Sequence, residues 1–168
     1  CSGSPIGLKP ETGRCGAILQ AWYPGQAGGT AVAEVLFGDY NPAGRLPVTF
    51  YRNVSQLPDF EDYNMTGRTY RYMTQEPLFP FGHGLSYTSF CYGAVVLGSD
   101  NIKSGEKLRL NVPVTNTGKC DGEEVVQVYL KKNDDVEGPS KALRAFKRVH
   151  IPAGKTVDAE FDLGDKEL

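Results

Sequence analysis

AILQAWYPGQAGGTAVAEVLFGDYNPAGRLPVTF, residues 17–50, is the stretch that decides the fold of the first half of this chain. It opens with a short apolar run that stops at Pro24-Gly25. After Gly28-Gly29, apolar residues recur at positions 31, 32, 35 and 36, which is the spacing of one helical face. Gly38 favours the left-handed conformation that ends a helix. We therefore predict a strand, a helix and a second, parallel strand over residues 17–23, 27–37 and 46–50.

Three motifs occur in the order and at the spacing typical of one enzyme family: AWYPGQAGGTAVAEVLFGDYNPAGRLPVTF (21–50), GRTYRY (67–72) and PFGHGLSYTSF (80–90). With the segment after Phe90 they resemble the C-terminal part of a glycoside hydrolase family 3 enzyme, of the β-glucosidase and β-xylosidase kind. The resemblance covers nearly the whole chain. It implies that the chain is a fragment, because in that family a large (β/α)8 barrel and the first part of an α/β sandwich lie upstream of the position of Cys1.

From Cys91 onward the apolar residues alternate with polar ones, a period typical of half-buried antiparallel strands. Turn sequences such as Asp121-Gly122 separate the alternating segments. We expect Val157, Ala159, Phe161 and Leu163 to point inward as one face. The segments VPVTNTG, GEEVVQVYL and ALRAFKRVHIPAGKTVDAEFDL resemble the fibronectin type III-like domain that ends many family 3 enzymes. We predict five strands, two short of a seven-strand sandwich, near 92–98, 106–115, 124–131, 141–149 and 155–163.

The expected fold class is thus α/β followed by all-β. Residues 1–90 are expected to be the end of a parallel α/β sandwich domain with a wrapping linker. Residues 91–168 are expected to be an antiparallel fibronectin type III-like β-sandwich that is incomplete at its C-terminus.

Composition excludes several classes of function. The 168 residues carry a formal net charge of −2, so no basic field favours nucleic acid. No apolar run approaches the roughly 20 residues of a membrane-spanning helix. The four cysteines form no CxxC pair and the two histidines form no HxxxH, so neither a metal nor another cofactor is expected. The resemblance implies a secreted or periplasmic enzyme, whose signal peptide would lie upstream.

Residues 52–80 lack clear periodicity and mix charged residues with aromatics such as Phe60 and Tyr63. Irregular segments of this length are uncommon in compact domains and are usually functional or wrap a neighbour. The aromatics would suit stacking on sugar rings, and they would equally cover sheet edges. The resemblance favours the second interpretation, because this segment wraps the sandwich in that family.

Two other catalytic or binding motifs are poorly supported. PGQAGG, residues 24–29, has no P-loop or dinucleotide fingerprint, so its glycines indicate a turn and a close approach of the helix start to a neighbouring strand. Ser86 beside His83 does not form GxSxG, and it is not at a strand-to-helix elbow. We expect His83 to be a linker residue and His150 to face solvent.

Retaining glycosidases need two carboxyl groups roughly 5 to 5.5 Å apart, one ionised and one protonated. No motif distinguishes such a pair among the candidates Glu34, Asp39, Asp59, Glu61 and Asp62. The resemblance places the nucleophile in the barrel and the general acid upstream of Cys1. No catalytic residue is therefore assigned to this chain.

Turns at the carboxyl ends of parallel strands are where open α/β sheets place ligands. Ser2, Ser4, Trp22 and Tyr23 come from such turns and are candidates for the rim of the substrate site. For Trp22, the only tryptophan, a packing role is favoured over a rim role.

These observations favour a fragment of a retaining β-glycosidase that releases terminal β-linked sugars from plant polysaccharide oligomers, as a β-xylosidase or a β-glucosidase. The run PDFEDYNMTGRTYRYM, residues 58–73, inclines the prediction toward β-xylosidase. Its partners would be the oligosaccharide substrate, through the intact enzyme, and the upstream barrel domain of the same chain. The alternative is a non-catalytic carbohydrate-binding or structural β-sandwich module.

Overall fold

The computed structural model describes residues 2–168 and separates into two compact units. The first unit contains the described residues up to Tyr40 together with Arg45–Gly84 and Asn133–Ser140. The second unit contains Asn41–Gly44, Leu85–Lys132 and Lys141–Leu168. Each unit is therefore assembled from segments that are not contiguous in the sequence.

The first unit contains short helices joined by long irregular segments. The helices are α1 (Lys9–Thr12), α2 (Gly28–Phe37), a 3-10 helix (Val54–Gln56) and α3 (Thr69–Tyr72). Helix α2 confirms the helix predicted over residues 27–37. It ends at Gly38, whose φ of 84° lies in the left-handed region and whose N–H donates to the carbonyl of Val35 at 3.2 Å.

The two parallel strands predicted on either side of α2 are absent from the described residues. Residues 17–23 have no strand structure, and residues 46–50 contribute only a single antiparallel bridge, between Phe50 and Phe79. Phe50 N–H donates to the Phe79 carbonyl at 2.9 Å, and Leu78 N–H donates back to the Phe50 carbonyl at 2.8 Å. An apolar run becomes a strand only when another segment completes its ladder, and within residues 2–168 no segment does so for residues 17–23. The two predicted strands are therefore not confirmed within residues 2–168.

The described part of the second unit is antiparallel throughout. Its strands are β1 (Phe90–Tyr92), β2 (Val96–Leu97), β3 (Leu108–Asn116), β4 (Gly122–Leu130), β5 (Ala142–Ile151) and β6 (Thr156–Leu163). In one sheet β3 pairs with β1, β2 and β6, and in the other β4 pairs with β5. The last four predicted strands are confirmed, with boundaries that differ by up to two residues.

The first predicted strand, over residues 92–98, is instead two short strands, and Pro113 explains the break. Proline has no N–H to donate, so one hydrogen bond is missing on the side of β3 that faces β1 and β2, while the pairing of β3 with β6 continues through Pro113 and Asp158. Gly93 N–H still donates to the Pro113 carbonyl at 2.8 Å, but β1 ends at Tyr92 opposite Val114 and β2 begins at Val96 opposite Asn111. Gly93 lies so close that a Cβ there would be 2.6 Å from the Pro113 ring.

The core of the second unit is formed by the inner faces of both sheets. Val114, Ile151, Ala159 and Leu163 are completely buried. Phe161 is also buried, and Val157 is partly buried and packs against the same cluster. The predicted inward face of β6 is therefore confirmed, and it explains why the alternation of β6 is so regular.

Candidate substrate rim

The Ser2-Gly3-Ser4 turn is held against residues 20–23, which brings most of the predicted rim together in the first unit. The Gln20 side chain makes the connection. Its Nε2 donates to Ser2 Oγ at 3.0 Å and to the Ser2 carbonyl at 3.2 Å. Ser2 Oγ in turn donates to the Ser4 carbonyl at 2.9 Å. One amide therefore fixes both the hydroxyl and the backbone of the turn.

Gln20 was not among the residues predicted from the sequence. The signal for it was a single polar residue in the otherwise apolar run of residues 17–23. Because polar groups that are removed from water need hydrogen-bond partners, a glutamine in such a run indicates a specific partner. That partner, Ser2, lies 18 residues away, so its identity does not follow from the local pattern.

Tyr23 lies over the same turn. A Cβ on Gly3 would be 2.3 Å from Tyr23 Cε2 and 3.0 Å from its hydroxyl oxygen, so only glycine permits this approach. The remainder of the tyrosine side chain faces outward, and Tyr23 is 80% exposed. Ser4 is exposed as well. The rim thus presents an aromatic ring and a serine at one place on the surface of the first unit.

Trp22 belongs to an aromatic cluster, and its own backbone is strained. Its φ of 53° is in the left-handed region, an outlier for a bulky residue. The ring is partly buried, with its centroid 6.2 Å from that of Phe50. Phe50 contacts Phe79, which stacks on His83 with centroids 5.3 Å apart. Such strain persists where the surroundings over-determine the conformation, and it is frequent at functional sites.

His83 and Ser86 have separate partners. Ser86 Oγ donates to Asn41 Oδ1 at 2.8 Å, which occupies the hydroxyl in a hydrogen bond to an amide. Burial of His83, and secondarily the positive charge of Arg45, lower the pKa of its imidazole. His150 is exposed, as expected.

The candidate carboxylates are not held in the way that a glycosidase acid requires. Glu34, Asp39, Asp59 and Glu61 are exposed. The backbone N–H and the side-chain amide of Asn64 both donate to Asp62 Oδ1 and lower the pKa of that carboxyl. A general acid needs a raised pKa, so the shift at Asp62 has the opposite direction.

The segment around Asp62 is organised by Arg68. Its guanidinium donates to the backbone carbonyls of Asp59, Asp62 and Asn64. This single side chain therefore shapes the irregular loop, in which Phe60 and Tyr63 are exposed.

The first unit also contains residues 133–140, although they lie within the stretch expected to form the β-sandwich. Ser140 N–H donates to the Arg71 carbonyl at 2.7 Å, and Ser140 Oγ donates to the Tyr70 carbonyl at 3.3 Å. Tyr70 stacks on Phe81 with centroids 4.2 Å apart. The sequence carries no signal for these contacts, because they join positions about 70 residues apart through backbone atoms.

Within residues 2–168 no group of three or more histidine, cysteine, aspartate or glutamate residues is arranged to hold a metal ion. Helices in the same range are too short or too polar to cross a membrane. Cys15, Cys91 and Cys120 are free and exposed, and Cys1 lies outside the described residues.

The chain thus combines an irregular α-helical unit with an antiparallel β unit. Comparison with protein families assigns both: residues 1–87 match the glycosyl hydrolase family 3 C-terminal domain, and residues 124–168 match a fibronectin type III-like domain. The chain belongs to glycoside hydrolase family 3.

Named relatives extend this similarity over the whole chain. The chain is 55% identical over 168 residues to a xylan 1,4-β-xylosidase of Xylanibacter ruminicola, covering 100% of this chain and 19% of the relative. It is 40% identical to a periplasmic β-glucosidase of Salmonella typhimurium, covering 96% of this chain and 23% of the relative. The chain therefore spans about a fifth of the length of these curated relatives.

Solved structures show the same similarity over nearly the whole chain. A β-glucosidase from Thermotoga neapolitana, solved in complex with glucose, superimposes with a TM-score of 0.88 at 33% identity. That match covers 99% of this chain and 25% of the other. A β-glucosidase from Erythrobacter marinus gives a TM-score of 0.85 at 43% identity, covering 99% of this chain and 22% of the other.

Proposed function

We propose that these residues are the C-terminal part of a retaining β-glycosidase that releases terminal β-linked sugars from plant polysaccharide oligomers. The observation that carries the proposal is the 55% identity, over the full 168 residues, to a protein named xylan 1,4-β-xylosidase. Family membership supports the same class of reaction. β-Xylosidase is proposed ahead of β-glucosidase because of this relative and the run at residues 58–73.

The catalytic pair is proposed to lie in a part of the enzyme upstream of Cys1. Retention requires one carboxylate for attack and one carboxyl group to protonate the leaving oxygen. The exposure of four candidate carboxylates and the lowered pKa of Asp62 argue against such a pair among the five candidates. The proposed role of this chain is to form one wall of the site, with Ser2, Ser4, Trp22 and Tyr23 at its rim.

The proposed architecture has residues 1–90 as the end of a parallel α/β sandwich and residues 91–168 as the fibronectin type III-like domain. An upstream (β/α)8 barrel would supply the sugar-binding contacts that position the scissile bond. Under this proposal, strand pairing for residues 17–23 comes from upstream segments of the sandwich. A secreted or periplasmic location is proposed by similarity to the periplasmic β-glucosidase of Salmonella typhimurium.

The test compares the 168-residue chain with the longer polypeptide encoded by its gene. Both are assayed with aryl β-xylosides and aryl β-glucosides. We expect turnover by the longer polypeptide, faster with xylosides, and no turnover above the buffer blank by residues 1–168. Activity of the short chain that disappears when one of its five candidate carboxylates is replaced by alanine would contradict the assignment of the catalytic pair. An inactive longer polypeptide would contradict the proposed function itself.

A further inference from the structure

Residues 41–44 belong to the second unit, although the chain directly before and after them belongs to the first unit. They form neither a helix nor a strand, so no regular backbone ladder accounts for their position. Ala43 is nevertheless only 4% exposed, and the second unit resumes at Leu85. Individual contacts, and not regular structure, therefore hold this short segment in place.

The Asn41 side chain supplies three of these contacts. Its Oδ1 accepts from Ser86 Oγ and from Tyr87 N–H, both at 2.8 Å, and its Nδ2 donates to the Asp121 carbonyl at 2.9 Å. These partners lie 45, 46 and 80 residues further along the chain. Pro42 disfavours a helical conformation at Asn41, so the segment loses less conformational entropy when it is held. One amide therefore joins two distant segments of the second unit to each other.

The connection extends to the turn between β5 and β6. Asp121, whose carbonyl binds Asn41, also accepts through its Oδ1 from Ala153 N–H at 2.9 Å. Gly122 permits the close approach, because a Cβ there would be 3.0 Å from Asn41 Nδ2 and 2.7 Å from Thr88 Cγ2. The register of the strands places the start of β1, the turn before β4 and the turn after β5 at the same end of the second unit. Asn41 therefore links the connecting segments at this end.

We propose that Asn41 is a clasp for this end of the second unit, so that a segment from the first half of the chain completes the unit. Without the amide, the Tyr87 N–H and the Asp121 carbonyl lose their partner, and neither lies in regular structure that would hold it. This end of the unit then opens more often than the rest. The fibronectin type III-like match over residues 124–168 leaves the clasp out, and so does the domain boundary expected at residue 91. This role is independent of the reaction that the enzyme catalyses.

Hydrogen exchange of the longer polypeptide, followed by mass spectrometry, tests the clasp in Asn41→Ala. We expect the backbone amides of residues 86–92 and 118–124 to exchange about tenfold faster, because three hydrogen bonds are lost at this end. Amides of residues 108–110, at the opposite end of β3, and those of α2 should change by less than about twofold. Asn101→Ala is the matched control, because the hydrogen bonds of Asn101 to Ser99 are made by its backbone. It should leave all these rates unchanged.

Asn41→Asp keeps the test decisive if Asn41→Ala does not fold. The aspartate has the same shape and still accepts from Ser86 and Tyr87, but it has no N–H for the Asp121 carbonyl. We expect exchange at residues 118–124 to rise about threefold, with residues 86–92 changed less. Rates at residues 118–124 that equal those of the wild type would overturn the clasp. A uniform rise over the whole polypeptide would overturn it as well, because general destabilisation does not single out one end of the unit.

Discussion

Thr88 Oγ1 donates a 2.5 Å hydrogen bond to Asn116 Oδ1, and this bond lies in the interior of the second unit. The Asn116 side chain also accepts from Gly118 N–H and donates to the carbonyls of Cys120 and Ile151. The residue is 0% exposed. One side chain thus satisfies both hydrogen-bonding atoms of its amide without water, at the end of β3.

Asn116→Leu is expected to destabilise the second unit by about 3 kcal/mol. The substitution leaves the buried Ile151 carbonyl, the partly buried Cys120 carbonyl and the Thr88 hydroxyl without their partner, and each unsatisfied buried group costs roughly 1 to 3 kcal/mol before relaxation. Thr88→Val removes one donor and should cost only about 1 kcal/mol. Urea unfolding of both variants measures the difference, and equal losses would show that Asn116 is not the centre of the network.

Gly28 and Gly29, adjacent at the start of α2, are expected to respond oppositely to alanine. A Cβ on Gly28 would be 2.2 Å from Pro24 Cβ, and the proline ring cannot rotate away. A Cβ on Gly29 meets nothing within 4 Å. Gly28→Ala should therefore lower the unfolding free energy, and Gly29→Ala should raise it by up to about 1 kcal/mol because alanine favours the helix. Thermal unfolding of the two variants tests the contrast, and a stabilising Gly28→Ala would contradict it.

His83 is expected to make the first unit less stable in acid. Burial lowers its pKa below the ordinary 6.5, so between the two values the unfolded state binds more protons than the folded state. The unfolding free energy should therefore fall as the pH drops from about 7 through 6.5 toward the lowered pKa. His83→Phe keeps a ring against Phe79 but cannot titrate. The difference in unfolding free energy between wild type and variant should change over this pH range. A constant difference would show that the titration of His83 does not cause the loss of stability in acid.

The 168-residue chain is expected to self-associate. Within the described residues β4 pairs only with β5, and β6 only with β3, so each of these strands has an open edge. Phe146 is 68% exposed, and Val96 on β2 is exposed as well. Sedimentation velocity should show dimers or larger species whose population falls in Phe146→Lys. A dilute monomer that melts cooperatively would contradict the prediction.

The sequence alone determined the elements whose patterns are local. Helix α2 follows from the spacing of Val32, Val35 and their neighbours, and its end follows from Gly38, because a helix closes its hydrogen bonds within a few residues. The later strands β3 to β6 follow from alternation, since their inner faces share one core. The family motifs were likewise readable without coordinates, because they are continuous stretches of sequence.

The tertiary structure decided everything that depends on a distant partner. Residues 17–23 are apolar enough for a strand, but a strand requires a ladder with a second segment, and that pairing is not encoded within the run. Gln20 contacts Ser2 through two hydrogen bonds, and Ser140 Oγ contacts the Tyr70 carbonyl through one, each between remote positions. Trp22 adopts a left-handed backbone that no propensity favours. These features arise from packing between segments. The free energy of that packing cannot be inferred from the periodic pattern of any single segment.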